Sequence, residues 1–78
     1  MVTIYTTPTC IYCKATEKFF AENNVEFEEK DVTKDEEARN DMIQKSGQMG
    51  VPVIDIDGKI VIGFNKKKLA ELLEIKLD

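Results

Sequence analysis

The sequence predicts a small mixed α/β sandwich of element order β-α-β-α-β-β-α, a four-stranded sheet flanked by three helices. Three observations predict it. Apolar residues alternate with period two in Val2-Thr3-Ile4-Tyr5-Thr6 and again in Val25-Glu26-Phe27-Glu28. Between and after these runs the apolar spacing becomes helical. Asp57-Gly58, set between two β-rich runs, is a strong signal for a two-residue hairpin. A leading β-α-β unit implies a parallel pair with a right-handed crossover. The hairpin adds antiparallel strands, and amphipathic helices must cover the sheet.

Each element has its own warrant. Val2 to Thr6 is rich in β-formers and reads as the first strand. Pro8 and Thr9 punctuate the chain before a helical stretch from about Ile11 to Asn23. In it Ala15, Phe19 and Phe20 recur at helical spacing, and Asn23-Asn24 supplies a C-terminal stop. Val25-Glu26-Phe27-Glu28 opens a second strand that runs to about Val32. Thr33 followed by Glu36 makes a capping box, with Asp35, Glu36 and Glu37 favourable in the first turn. The helix it opens carries Ala38, Met42 and Ile43 on one face and should stop near Gly47. Val51 to Ile56 reads as a third strand and Lys59 to Gly63 as a fourth. Asn65 can cap a last helix bearing Leu69, Leu72 and Leu73, with Leu77 near its end. The stripes Phe19/Phe20 and Leu69/Leu72/Leu73 are assigned to the core.

Composition narrows the function. The chain has 78 residues, 42% hydrophobic and 33% charged, and shows no repeat, low-complexity tract or linker. It reads as one soluble domain over residues 1–78. A net charge of −4 argues against phosphate-backbone binding, so nucleic acid is not an expected partner. Ile60-Val61-Ile62-Gly63-Phe64, among the longest apolar runs, is too short to cross a bilayer. Met1-Val2-Thr3-Ile4-Tyr5 has neither the basic nor the apolar region of a signal peptide, so the expected location is the cytoplasm. There a reversible dithiol is favoured over a permanent disulfide.

The two cysteines, Cys10 and Cys13, therefore draw attention. Their loop is too short to hold a fold together by chain entropy. Without histidine the chain cannot supply the four ligands of a structural zinc site, and no metal is expected in a single chain. Chemistry is the leading explanation. Cys10-Ile11-Tyr12-Cys13 lies between the first strand and the first helix, where unpaired N–H groups and the helix dipole favour a thiolate. Cys10, at the very end, should be the attacking nucleophile. Cys13, one turn in on the same face, should resolve the mixed disulfide. Two other readings stay open: half of a metal or iron–sulfur site completed by a second chain and external thiols, and a buried structural pair. Lys14 either adds positive potential beside the sulfurs or is an ordinary solvated lysine.

Gly50-Val51-Pro52 opens the third strand, where proline cannot donate to a ladder. Trans is the ordinary form of such a bond; a cis form would leave the Val51 backbone free to pair with an extended substrate. Taken together, Ile4-Tyr5-Thr6 leading into Cys10-Ile11-Tyr12-Cys13, then Val51-Pro52, then Gly63-Phe64-Asn65 resemble the glutaredoxin family of the thioredoxin-fold superfamily. The resemblance spans nearly the whole chain. It implies a thioredoxin-like fold, a cis-proline at Pro52, and thiol–disulfide oxidoreductase activity. It also implies a groove beside Cys10 lined by Tyr12, Val51, Pro52, Gly63 and Phe64, with Asn65 next to it.

Departures from the family pattern are as informative. Ile11 stands where the usual Cys-Pro-Tyr-Cys has proline. Thr6, Thr7 and Thr9 occupy the segment that usually carries a lysine or arginine for a glutathione carboxylate. Gly50 replaces the threonine before Val-Pro, and Asn65-Lys66 replaces acidic residues after the late glycine. These features are similar to those of NrdH-redoxins, glutaredoxin-like hydrogen donors of ribonucleotide reductase that take electrons from thioredoxin reductase. Lys66-Lys67-Lys68 opposes the dipole of the last helix; it is either a solvated cluster or an attractor of an anionic ligand or acidic partner segment. The expectation is a monomeric cytosolic carrier with no bound cofactor that reduces disulfides in partner proteins. Its electrons would come from thioredoxin reductase and NADPH or, alternatively, from glutathione.

Overall fold

The computed structural model describes residues 1–76. Its elements are β1 (Val2–Thr6), α1 (Ile11–Glu22), β2 (Glu28–Asp31), α2 (Glu36–Ser46), β3 (Val53–Ile56), β4 (Lys59–Ile62) and α3 (Lys66–Leu73). The sheet order is β2-β1-β3-β4, with β1 and β2 parallel and the β1–β3 and β3–β4 pairs antiparallel. This is the mixed sheet with three helices that the element order implied.

Strand alternation divides the core in two. Val2 and Ile4 pair with Ile56 and Ile54, and Ile54 pairs with Val61, so these side chains share one face. There they meet Phe19 and Phe20 of α1 and Leu69 and Ala70 of α3. Tyr5 and Val53 point to the other face and pack with Val32, Ala38 and Met42. Ile4, Phe20, Ile54 and Leu69 are fully buried, and each such side chain contributes roughly 1.5–3 kcal/mol. The phenylalanine and Leu69 assignments to the core hold. Leu72 and Leu73 are half-buried against it, and Leu77 lies outside the described residues.

Boundaries follow local chemistry. Asn24 adopts a left-handed φ of 57°, and Val25 donates its N–H to Phe20 O at 2.9 Å, closing α1 with a Schellman-type turn. That turn holds Val25 out of the ladder. β2 accordingly starts at Glu28 instead of Val25, while Val25 and Phe27 pack against the core from outside it. The cap of α2 is Asp35, whose Oδ1 accepts from Ala38 N–H at 3.0 Å, and not Thr33. Thr33 is engaged elsewhere: its N–H and hydroxyl both bond Asp31 Oδ1, at 2.9 and 2.5 Å. β3 begins at Val53 because Pro52 has no N–H for the ladder, and β4 ends at Ile62. Asp57 (φ 50°) and Gly58 (φ 92°) make the left-handed pair that a type I′ hairpin requires.

Candidate active site

The register places one end of the sheet around the dithiol. β1 runs out at Thr6, and the chain turns through Pro8 and Thr9, with Cys10 N–H donating to Thr7 O at 3.3 Å. Cys10 is the N-cap of α1. Its backbone is extended (φ −85°, ψ 107°), and its Sγ accepts from the Cys13 N–H at 3.1 Å. Sulfur thus takes the place of the oxygen that usually satisfies an orphan amide at a helix start. The Cys10 and Cys13 sulfurs are at disulfide distance, and their Cα atoms are 5.2 Å apart, within the span a disulfide bridges.

The two sulfurs differ in access. Cys13 is fully buried and Cys10 half-buried, so Cys10 is the more accessible sulfur. No acidic residue occupies the first turn of α1. Ile11, Tyr12 and Lys14 are exposed around the pair. One turn on, the buried Thr16 hydroxyl donates to Tyr12 O at 2.8 Å and fixes the carbonyl side of the turn.

The remaining residues singled out in sequence fall at the same end. Tyr5 pairs with Val53, so Pro52 lies opposite Thr6, the last residue of β1 before the dithiol turn. The Val51–Pro52 peptide is cis, Pro52 is buried and Val51 half-buried. Gly63 joins them by donating its N–H to Pro52 O at 2.8 Å. Phe64, half-buried, meets Phe19 edge-on at 6.0 Å between ring centroids. Asn65 Oδ1 accepts from Lys68 N–H at 3.1 Å and caps α3. Lys66 sets its ammonium over the Phe19 ring, 5.6 Å from the centroid.

One polar cluster has no sequence signal. Lys45 Nζ, at the last turn of α2, donates to Asp55 Oδ2 at 2.8 Å and to the fully buried Tyr5 hydroxyl at 3.1 Å. These hydrogen bonds, first the one to Asp55, hold the Lys45 ammonium above its ordinary pKa. Burial by itself would push the Asp55 carboxyl up; the bonds from Lys45 and from the Gly58 N–H overcome that and leave it below the usual carboxylate value. The cluster sits toward the end of β3 remote from Cys10, since Asp55 pairs with Thr3, and it ties α2 to the sheet. At the dithiol end, the Thr33 hydroxyl and N–H lower the Asp31 carboxyl by hydrogen bonding. Among the described residues no three His, Cys, Asp or Glu side chains gather as a metal site, and no helix is long and apolar enough to cross a membrane.

A Cys-x-x-Cys pair at the helix start after β1, beside a cis-proline that opens β3, defines a class: thioredoxin-fold proteins with a redox-active dithiol. Within that class the glutaredoxin family model matches residues 2–61, and the chain belongs to the glutaredoxin family. It is 45% identical over 74 residues to an uncharacterized glutaredoxin-like 8.6 kDa protein in the rubredoxin operon of Clostridium pasteurianum, covering 95% of this chain and 99% of that one. It is 32% identical over 72 residues to the glutaredoxin-like protein NrdH of Lactococcus lactis, covering 92% and 99%. The crystal structure of the thioredoxin-like protein BC3987 superposes with a TM-score of 0.87 at 39% identity, over 92% of this chain and 99% of that one.

Proposed function

We propose that this protein is a cytosolic dithiol carrier that reduces disulfides in partner proteins, ribonucleotide reductase among them, and is recharged by thioredoxin reductase and NADPH. The observation that carries the reading is the Cys10 cap: a half-buried sulfur accepting an N–H at 3.1 Å, within bonding reach of a fully buried second sulfur. The Cys10 thiolate attacks one sulfur of the substrate disulfide. That bond breaks, a mixed disulfide forms, and the departing thiolate takes up a proton. The Cys13 thiolate then attacks Cys10 Sγ and expels the second substrate thiol, which is protonated in turn. The substrate gains two electrons and two protons, and the protein is left as the Cys10–Cys13 disulfide. Val51, beside the turn, offers its backbone to an extended substrate segment.

Thr6, Thr7 and Thr9, where a glutathione-binding cation usually stands, favour the reductase branch, as does the NrdH relative of nearly equal length. The branches differ energetically as well. Thioredoxin and glutaredoxins are separated by roughly 40–70 mV, about 2–3 kcal/mol for two electrons, enough to select the reductant. The test is to offer the oxidised protein either glutathione with glutathione reductase or thioredoxin reductase, and to follow NADPH consumption. Turnover with thioredoxin reductase is expected. Efficient turnover with glutathione and none with thioredoxin reductase would make the protein a glutathione-dependent glutaredoxin.

A further inference from the structure

In the segment that leads from α2 to Pro52, a side chain stands in for a neighbouring strand. Gly50 donates its N–H to Gln48 Oε1 at 2.6 Å, and its carbonyl accepts from Gln48 Nε2 at 3.0 Å. A primary amide presents the same donor and acceptor as a peptide group, so Gln48 satisfies Gly50 as a paired residue in a ladder would. The other end of this clamp is anchored. Ser46 Oγ lies 2.7 Å from Met42 O and 3.0 Å from Gln48 O, and Lys45 bonds the same turn of α2 to Tyr5 and Asp55. The next residue is treated differently. Among the described residues, the N–H and C=O of Val51 take part in no hydrogen bond. A backbone pair left unmatched at the dithiol end of the sheet is a place for another chain to pair.

We propose that Gln48 is a positioning residue that closes Gly50 to the substrate and so fixes the register in which an extended segment meets Val51 and presents its disulfide to Cys10. The proposal rests on the reading of Cys10 as the attacking sulfur. Gly50 is the obligate partner of the clamp. A Cβ at this position would lie 2.7 Å from Gln48 Oε1 and 3.7 Å from its Cδ, with no other contact within 4 Å. A larger residue therefore displaces the amide and leaves the backbone where it is. The threonine that glutaredoxins usually carry here is incompatible with this arrangement.

The experiment compares the parent with Gln48→Ala, Gly50→Ala and the double variant. Each is recharged with dithiothreitol and assayed on insulin and on hydroxyethyl disulfide, which has no peptide backbone to pair. In each single variant the KM for insulin rises about threefold to tenfold, the range of one hydrogen bond's net worth, with kcat unchanged. The double variant shows no further rise, because both changes remove one clamp. Rates on hydroxyethyl disulfide stay at the parent value in all three. An unchanged insulin KM in Gln48→Ala, additive effects in the double variant, or equal losses on both substrates would overturn the proposal. A parent that fails to reduce insulin overturns the functional reading as well, whereas an active parent matched by its variants removes only the role of Gln48.

Discussion

The N-termini of α1 and α2 are built to one plan and filled in opposite ways. Both open at the same end of the sheet, since Thr6 and Asp31, the last residues of β1 and β2, are paired. In each, an extended residue before the helix accepts from the N–H three positions on, Asp35 Oδ1 from Ala38 at 3.0 Å and Cys10 Sγ from Cys13 at 3.1 Å. Asp35 is followed by Glu36 and Glu37, so the positive pole of α2 is occupied by acidic side chains. The first turn of α1 holds no acid, and Lys14 comes one residue after Cys13. The anion available to that pole is the Cys10 sulfur itself. A carboxyl group in water has an ordinary pKa of ~4, far below neutral pH, so at a solvated helix end the pole has only to anchor it. A thiol ionises near ~8.5 when unperturbed, so the same field decides how much thiolate exists. One arrangement of backbone amides thus serves stability in α2 and reactivity in α1, and the residue at the cap makes the difference.

The largest effect that would break this contrast is in the cap of α1. Cys10→Ser should abolish insulin reduction while leaving the melting temperature unchanged or higher, because serine is a strong N-cap. Residual activity in that variant would remove Cys10 as nucleophile. Cys13→Ser should keep the attack and lose the release, so that the substrate stays attached as a mixed disulfide visible by mass spectrometry. In α2 the mirror experiment is Asp35→Ala. Loss of this cap should cost about 1 kcal/mol, a fall of roughly 4–8 °C in the melting temperature of a domain this size. Disulfide reduction at room temperature should not change. The finest test is Lys14→Glu, which puts an acid directly after Cys13, next to a first turn that holds none. It should raise the Cys10 thiol pKa by about 0.2–0.7 units, equivalent to roughly 0.3–1 kcal/mol at a helix end, as read from thiolate absorbance against pH. An unmoved titration would mean that the charge around the pole does not set reactivity.

What could be read from the sequence was whatever depends on neighbours along the chain. Asp57-Gly58, Asn23-Asn24, Gly47 and the Asn65 cap are local signals, and the structure uses each as read. The dithiol belongs with them, because its helix-start position follows from the strand before it and the helical spacing after it. Errors arose where two local signals competed. Thr33 carries the capping-box signature and Asp35 reads as a first-turn residue, but Asp31 binds the Thr33 hydroxyl and Asp35 takes the cap. Val25 alternates like a strand residue, yet the turn that closes α1 holds its N–H. The Lys45–Tyr5–Asp55 cluster joins residues 40 and 10 positions apart, and no pattern along the chain reports such a meeting. Gln48 was invisible for another reason: a glutamine two residues before a glycine is unremarkable until both ends of its amide are seen to bond one residue.

The Asp57-Gly58 turn has a practical consequence. β3 carries the chain from Val53, beside the dithiol end, to Ile56, paired with Val2 at the other. Beyond it Asp57 N–H closes on Met1 O at 3.1 Å. The hairpin tip and the first residue therefore share the end of the sheet farthest from Cys10. A reporter domain inserted at this tip, or a tether to an electrode, would hold every molecule with its sulfurs facing solution, making electron exchange with a soluble partner measurable from one fixed orientation.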